Sequence, residues 1–96
     1  MTPKQYLEKA EIENLLLVDI RRSEERKNGQ FLEGSLHLPM EEILLADTIE
    51  LPLDTKLVIL CQRGGRADLV ISNLRAKGFS QVEKLEGGWV ELAKYV

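Results

Sequence analysis

Two short, uninterrupted apolar runs constrain the fold of this chain most: LLLV at residues 15–18 and LVIL at residues 57–60. A strand with one face in solvent alternates apolar and polar residues, whereas a strand covered on both faces is apolar throughout. Polar residues bound the first run, and the second is followed by the only cysteine of the chain. The two runs therefore predict buried strands in a sheet that has helices on both faces, with residues 57–60 at its centre.

Two helices flank these runs, and local signals mark their ends. Thr2 can cap the first helix, with Pro3 at its first position and Gln5 completing a capping box. The second helix shows apolar residues at i, i+3, i+4 and i+7, and Gly78 followed by Phe79 predicts where it ends. The residues expected to face the core are Tyr6, Leu7 and Ala10 in the first helix and Ala67, Val70, Ile71 and Leu74 in the second.

The other segments complete an alternation of strands and helices. Short strands are predicted at 35–39 (SLHLP) and 81–86 (QVEKLE), and helices at 40–47 and from 87 to 96. The charged segment 19–34 contains two glycines and is expected to be mainly loop. Strands that alternate with helices over short connections form parallel sheets. The predicted fold class is α/β, a small parallel β-sheet with helices on both faces.

Composition narrows the classes of function. At 96 residues, the segment 1–96 is expected to form one domain. A net charge of -3 and only 5% aromatic residues argue against nucleic acid as a partner. No apolar run approaches the roughly 20 residues that span a bilayer, so no membrane partner is expected. One cysteine and one histidine are too few for a metal site, and no cofactor is expected. A chain with a single cysteine suits a reducing compartment, by default the cytoplasm.

That cysteine, Cys61, ends the second apolar run and opens the segment CQRGGR. Backbone N–H groups between a strand and a helix N-terminus lack intrahelical partners and, with the positive end of the helix dipole, form an anion site. Two glycines let the amides turn inward, and two arginines add positive charge. We expect Cys61 to be held as a thiolate, the nucleophilic form of the side chain. The residues predicted to bind its substrate are Gln62, Arg63, Gly64, Gly65 and Arg66.

The alternative interpretation gives Cys61 a purely structural role. A lone cysteine at the end of an apolar strand is often a small buried hydrophobic residue with no chemical role. Glycines after a strand commonly form a turn, and arginines near a helix are commonly solvated. It is the conjunction of strand, cysteine, two glycines, arginine and amphipathic helix that favours chemistry at the thiol.

Four segments in order resemble the single-domain rhodanese family. The first is LLLVDIRRSEE (15–25), which contains the Asp-x-Arg of Asp19 and Arg21 and a following Glu25. The second is EGSLHLP (33–39), the third is the cysteine loop CQRGGR (61–66), and the fourth is KGFSQVEKLEGGW (77–89). The resemblance covers residues 15–89, most of the chain.

The resemblance implies a thiosulfate sulfurtransferase of the rhodanese type. In this chemistry Cys61 takes a sulfane sulfur from thiosulfate or a similar small-molecule donor and becomes a persulfide. Cyanide, a cellular thiol or a protein acceptor then takes the sulfur. The resemblance also implies that the amides of residues 62–66 hold the persulfide, and that Arg66 and Arg63 attract the anionic donor.

Three other classes of protein also use an activated cysteine: phosphatases, persulfide carriers or docking modules, and oxidation sensors. A tyrosine-phosphatase loop needs five residues between cysteine and arginine, but position 67 is Ala and Arg66 comes one residue too early. A persulfide carrier or partner-docking module without appreciable thiosulfate:cyanide turnover would use the same cysteine. An oxidation sensor built on the same thiolate is a weaker alternative.

Charged residues near the first strand are predicted to be structural. We expect Asp19 and Arg21 to tie the long loop to neighbouring strands by hydrogen bonds and an ion pair. The alternative is that Arg21, which also follows a strand end, lies near the mouth of the site. His37 lies within an apolar stretch and is expected to be a half-buried strand residue rather than a general base. The charges expected to be solvated are Arg22, Glu24, Arg26 and Lys27.

Overall fold

Strands and helices alternate along the chain, as the sequence predicts. The computed structural model describes all 96 residues. Its elements are α1 (Pro3–Lys9), β1 (Leu16–Asp19), a 3₁₀-helix (Ser23–Gly29), β2 (Leu36–His37), α2 (Met40–Leu45), β3 (Leu57–Leu60), α3 (Ala67–Ala76), β4 (Val82–Lys84) and α4 (Gly88–Leu92). None of these helices has the length and apolar character to cross a membrane.

The four strands form one parallel sheet in the order β2–β1–β3–β4. The two apolar runs predicted from the sequence supply β1 and β3, which are neighbours at the centre. Leu16 is paired with Leu57 and Asp19 with Leu60, so the carboxyl ends of these two strands lie side by side. Cys61 therefore emerges at the same edge of the sheet as Ile20, whose N–H donates to the Leu60 carbonyl at 2.9 Å.

A hydrophobic cluster covers each face of the sheet. Leu57 and Ile59 point into the cluster under α2 and α3, whereas Val58 and Leu60 point into the cluster under α1 and α4. This alternation explains why residues 57–60 are apolar without interruption. Burying each such side chain stabilises the fold by about 1.5–3 kcal/mol. The predicted parallel sheet with helices on both faces is confirmed.

The predicted start of α1 is confirmed, but one of the three residues predicted to face the core is not buried. Thr2 and Gln5 form the reciprocal capping box, with Pro3 in the first turn. Tyr6 is buried and Ala10 packs against the same cluster, whereas Leu7 is 39% exposed. Tyr6 and Ala10 are four residues apart and define the buried stripe, and Leu7 is turned about 100° away from Tyr6 around the helix.

Helix α3 follows its prediction closely. Its four predicted core residues are all buried. At its C-terminus Gly78 adopts φ +106°, and its N–H donates to the Arg75 carbonyl at 3.0 Å. The N–H of Phe79 donates to the Leu74 carbonyl at 3.1 Å, which completes a Schellman motif. The segment predicted to be mainly loop, 19–34, contains the 3₁₀-helix, which is interrupted at Lys27 and Asn28.

Candidate active site

The Cys61 side chain lies at the base of the loop that joins β3 to α3. The residue is only 1% exposed, and its Sγ accepts a hydrogen bond from the N–H of Gly64 at 2.8 Å. Gly64 adopts φ +97°, a conformation that costs a glycine little and an L-amino acid considerably more. The glycine predicted to let the loop curl therefore turns its amide onto the sulfur.

The other amides of the loop have no partner within the chain. The N–H groups of residues 62, 63, 65 and 66 donate to no backbone carbonyl, while that of Gly64 bonds the sulfur. Unpaired amides next to a helix N-terminus bind anions, because their partial positive charges point at the same place. The loop can therefore hold negative charge beside the sulfur.

A second glycine pair, Gly87–Gly88, lies at the start of α4 and packs against this loop. The N–H groups of Trp89 and Val90, in the first turn of α4, donate to the carbonyls of Cys61 (2.8 Å) and Gln62 (3.1 Å). A Cβ added to Gly88 would lie 2.4 Å from the Cys61 carbonyl oxygen, so only glycine permits this approach. From the sequence the pair Gly87–Gly88 was predicted only to form a turn into the last helix, and its contact with the cysteine loop was missed.

Arg21 is the centre of a buried polar network beneath the loop. Its side chain is completely buried and uses all five of its N–H donors. Two bonds go to the Asp19 carboxylate at 3.0 and 2.9 Å, and two go to the carbonyls of Glu25 and Gln30. The Arg21 guanidinium also lies over the Trp89 ring, 5.1 Å from its centroid. The predicted ion pair of Asp19 and Arg21, and its role in tying down the long loop, are confirmed.

The fifth donor of Arg21 reaches the cysteine loop itself. It bonds the Gln62 side-chain oxygen at 2.9 Å. The Gln62 side-chain oxygen is thus committed to the framework, whereas its backbone N–H makes no hydrogen bond within the chain. This link connects the end of β1 to the residue after Cys61.

The loop's two arginines differ in their surroundings. Arg63 is exposed and makes no ion pair. Arg66 donates two hydrogen bonds to the Glu25 carboxylate, at 2.9 and 2.8 Å, and both side chains are half-buried. The Arg66 hydrogen bond holds the pKa of the Glu25 carboxyl below its ordinary value, and the same bond raises the pKa of Arg66. Sequence reasoning missed this partner of Arg66, which lies 41 residues away along the chain.

One of the charges predicted to be solvated is not. The Arg26 side chain is only 17% exposed, its Nε lies 3.1 Å from the Asp19 carboxylate, and its guanidinium lies over the Phe31 ring. The 3₁₀-helix is interrupted at Lys27 and Asn28, directly after Arg26, and the Arg26 side chain lies against Asp19, the last residue of β1. The exposure predicted for Arg22, Glu24 and Lys27 is confirmed.

His37 lies in β2, as predicted. It is half-buried, and its Nε2 lies 2.7 Å from the Arg21 carbonyl oxygen. The histidine thus supports the network from the neighbouring strand, through a backbone contact rather than a contact with the sulfur.

Comparisons with known proteins agree with this architecture. Residues 2–95 match the family model described as a rhodanese-like domain. The chain is 35% identical over 86 residues to a sulfurtransferase of Allochromatium vinosum, a match that covers 90% of this chain and 78% of that protein. It is 38% identical over 80 residues to a tRNA sulfurtransferase of Desulfurococcus amylolyticus, covering 83% of this chain and 14% of that protein.

The fold has close structural neighbours as well. A human single-domain sulfurtransferase superimposes with a TM-score of 0.84 at 20% identity, covering 100% of this chain and 96% of that one. Among the curated relatives, the chain spans most of the Allochromatium vinosum protein but only 14% to 29% of four others. The family match over nearly every residue and the sulfurtransferase relative agree, and the chain belongs to the rhodanese-like family of sulfurtransferases.

Proposed function

We propose that this protein transfers sulfane sulfur through a persulfide on Cys61, with thiosulfate or a similar compound as donor and cyanide or a thiol as acceptor. The observation that carries the proposal is the loop itself. Its sulfur accepts the Gly64 N–H at 2.8 Å and sits among loop amides that have no other partner. The nucleophilic form of a cysteine is the thiolate, and the Gly64 N–H is a hydrogen-bond donor aimed at that sulfur.

In the first half-reaction the Cys61 thiolate attacks the outer sulfur of thiosulfate. A new S–S bond forms, the bond between the two sulfurs of thiosulfate breaks, and sulfite leaves with the bonding electron pair. The product is the Cys61 persulfide anion, and the total charge is unchanged. The unpaired amides of residues 62, 63, 65 and 66 are the donors available to hold its terminal sulfur.

In the second half-reaction the acceptor attacks that terminal sulfur. Cyanide gives thiocyanate, a thiol gives a new persulfide, and Cys61 leaves as thiolate. The two steps share one covalent intermediate, so the kinetics are expected to be ping-pong. The reaction also needs a free thiol between turnovers, and for this reason we assign it to a reducing compartment, the cytoplasm.

Intact-mass spectrometry after incubation with thiosulfate tests the proposal. The wild-type protein should gain one sulfur atom, and cyanide should remove it. Cys61→Ser should gain none, since serine cannot form a persulfide. A wild-type protein that gains no sulfur although its thiol alkylates rapidly would refute thiosulfate as donor. A thiol that also alkylates slowly would refute the nucleophile.

A second candidate, a persulfide carrier that hands sulfur to a protein, is favoured by the position of the loop. The three cavities of the chain are lined by residues away from the loop, around β4 and the amino ends of the strands. Arg63 and Gly65 are exposed, so an acceptor approaches the loop at an open surface. Fast sulfur loading together with slow turnover by cyanide would favour the carrier. We propose that residues 1–96 serve either role as one domain, since both hydrophobic clusters pack on the same sheet.

A further inference from the structure

The charge that the loop offers to a substrate is smaller than its two arginines suggest. Arg66 makes a bidentate ion pair with Glu25, with N–O distances of 2.9 and 2.8 Å. The two side chains are 31% and 21% exposed, so solvent screens the pair less than it would screen one on the surface. A carboxylate in this position cancels most of the field of the guanidinium. Arg63 then supplies the loop's only cationic side chain without a partner.

We propose that Glu25 determines which sulfur donors the loop accepts: by neutralising Arg66, it favours donors with a single negative charge over dianions such as thiosulfate. The inference rests on the proposed function and narrows its class of donor. Glu25 touches neither the sulfur nor the loop amides and acts through Arg66, so it is a residue that sets specificity rather than a catalytic residue.

The effect of Glu25 on a donor is electrostatic. The interaction of a donor with the charge of Glu25 is proportional to the charge on the donor, so the effect on binding free energy is twice as large for a dianion as for a monoanion. The amides of the loop carry no net charge and bind either donor. Replacing Glu25 by glutamine keeps the size of the side chain and one hydrogen-bonding oxygen while removing the charge. Because the change in free energy is twice as large for the dianion, the fold-change in its loading rate is the square of the fold-change for the monoanion.

Thiosulfate and methanethiosulfonate form a matched pair of donors. They differ by one charge, since a methyl group replaces one oxyanion on the central sulfur. With either donor the Cys61 thiolate attacks the outer sulfur and the S–S bond of the donor breaks. Sulfite leaves from the first donor and methanesulfinate from the second, each with the bonding electrons. The product on the protein, the Cys61 persulfide, is the same.

The experiment compares second-order rate constants for sulfur loading, measured by intact mass with each donor. For Glu25→Gln we expect loading from thiosulfate to rise on the order of tenfold and loading from methanethiosulfonate about threefold. The ratio of the two rate constants should thus rise about threefold. The control is Glu24→Gln, which removes the same charge from an exposed neighbour that makes no ion pair. Its ratio should stay within about 1.5-fold of wild type.

A purely structural role for Glu25 predicts a different result. If the pair only positions Arg66, Glu25→Gln slows loading from both donors, and a ratio that stays unchanged or falls overturns the inference. Wild-type loading from both donors would then still support the proposed function, whereas no loading from either would overturn both. Glu25→Ala is measured in parallel and decides the question if the glutamine variant folds poorly, with circular dichroism confirming the fold of each variant.

Discussion

Replacing Gly88 by alanine should displace the cysteine loop, because the glycine lies directly against it. An added Cβ would lie 2.4 Å from the Cys61 carbonyl oxygen and 2.7 Å from the Gln62 carbonyl oxygen. Ordinary contacts begin near 3.4 Å, so the two backbones must separate by about 1 Å. Such a shift lengthens the hydrogen bond from the Trp89 N–H to Cys61, which measures 2.8 Å in the native chain.

The expected cost has two parts. Gly88 adopts φ +61°, which costs an alanine about 1–2 kcal/mol. The steric displacement adds about 1–3 kcal/mol, as for other overpacked sites. For a domain of this size, a total of about 3 kcal/mol lowers the melting temperature by roughly 15 °C. A misplacement of about 1 Å at a reacting group should also slow sulfur loading of Cys61 by about 100-fold.

Gly29→Ala separates the two parts of this cost. Gly29 also adopts a positive φ, +76°, but a Cβ there would meet no atom within 4 Å. We expect Gly29→Ala to lose only the conformational part, about 1–2 kcal/mol, and to load sulfur at the wild-type rate. The assays are urea unfolding and intact-mass kinetics with thiosulfate. If the two variants lose equal stability and load sulfur equally fast, the contact between Gly88 and the loop does not position Cys61.

Two further predictions concern the buried charges. Asp19→Asn leaves the buried Arg21 without its counter-charge and should lower the free energy of unfolding, measured in urea, by about 3–5 kcal/mol. The control Asp68→Asn breaks an exposed pair with Lys84 and should cost less than about 1 kcal/mol. Equal losses would contradict the importance of the buried pair. The Arg66 hydrogen bond lowers the pKa of Glu25 in the folded state. The carboxylate therefore stabilises the protein fully at pH values above the ordinary pKa of a glutamate, and this contribution is lost as the pH falls through the lowered pKa of the folded state. Glu25→Gln should therefore be less stable than wild type at pH 7 and equally stable in strong acid, and a difference that persists there would show that charge is not its source.

The parts of the fold that could be predicted are those fixed by local patterns. The run at 57–60 has no polar residue, which is compatible only with burial on both faces, and the structure places its residues alternately in the two clusters. Ala67, Val70, Ile71 and Leu74 form one stripe of a helix, and Gly78 supplies the positive φ that ends it. Each of these signals lies within about ten residues of the element that it determines.

The position of the cysteine loop was predictable for the same reason, but its charge was not. A strand end, a glycine pair and a helix start are all local features, and together they predict amides directed at an anion. The partners of Arg66 and Gln62 are Glu25 and Arg21, each 41 residues away. Periodicity carries no information about which charged side chains meet across a sheet edge. Arg26 illustrates the same limit, since its burial comes from contacts with Asp19 and Phe31 that no periodic pattern specifies.

The buried network gives these distant pairings a physical basis. A buried ion pair contributes little net stability over apolar residues of similar size, because desolvation offsets the attraction. The contribution of Arg21 is to hold two segments of backbone in position. Its bond to the Glu25 carbonyl, at 3.1 Å, fixes the backbone of the residue whose carboxylate pairs with Arg66. Its bond to Gln62 fixes the residue next to the sulfur. A single side chain, anchored by Asp19, thus positions both the carboxylate that sets the charge of the loop and the backbone that carries the nucleophile. A substitution of Arg21 should therefore slow sulfur loading from every donor as well as change donor preference, whereas Glu25→Gln should speed loading from both donors, and from thiosulfate more.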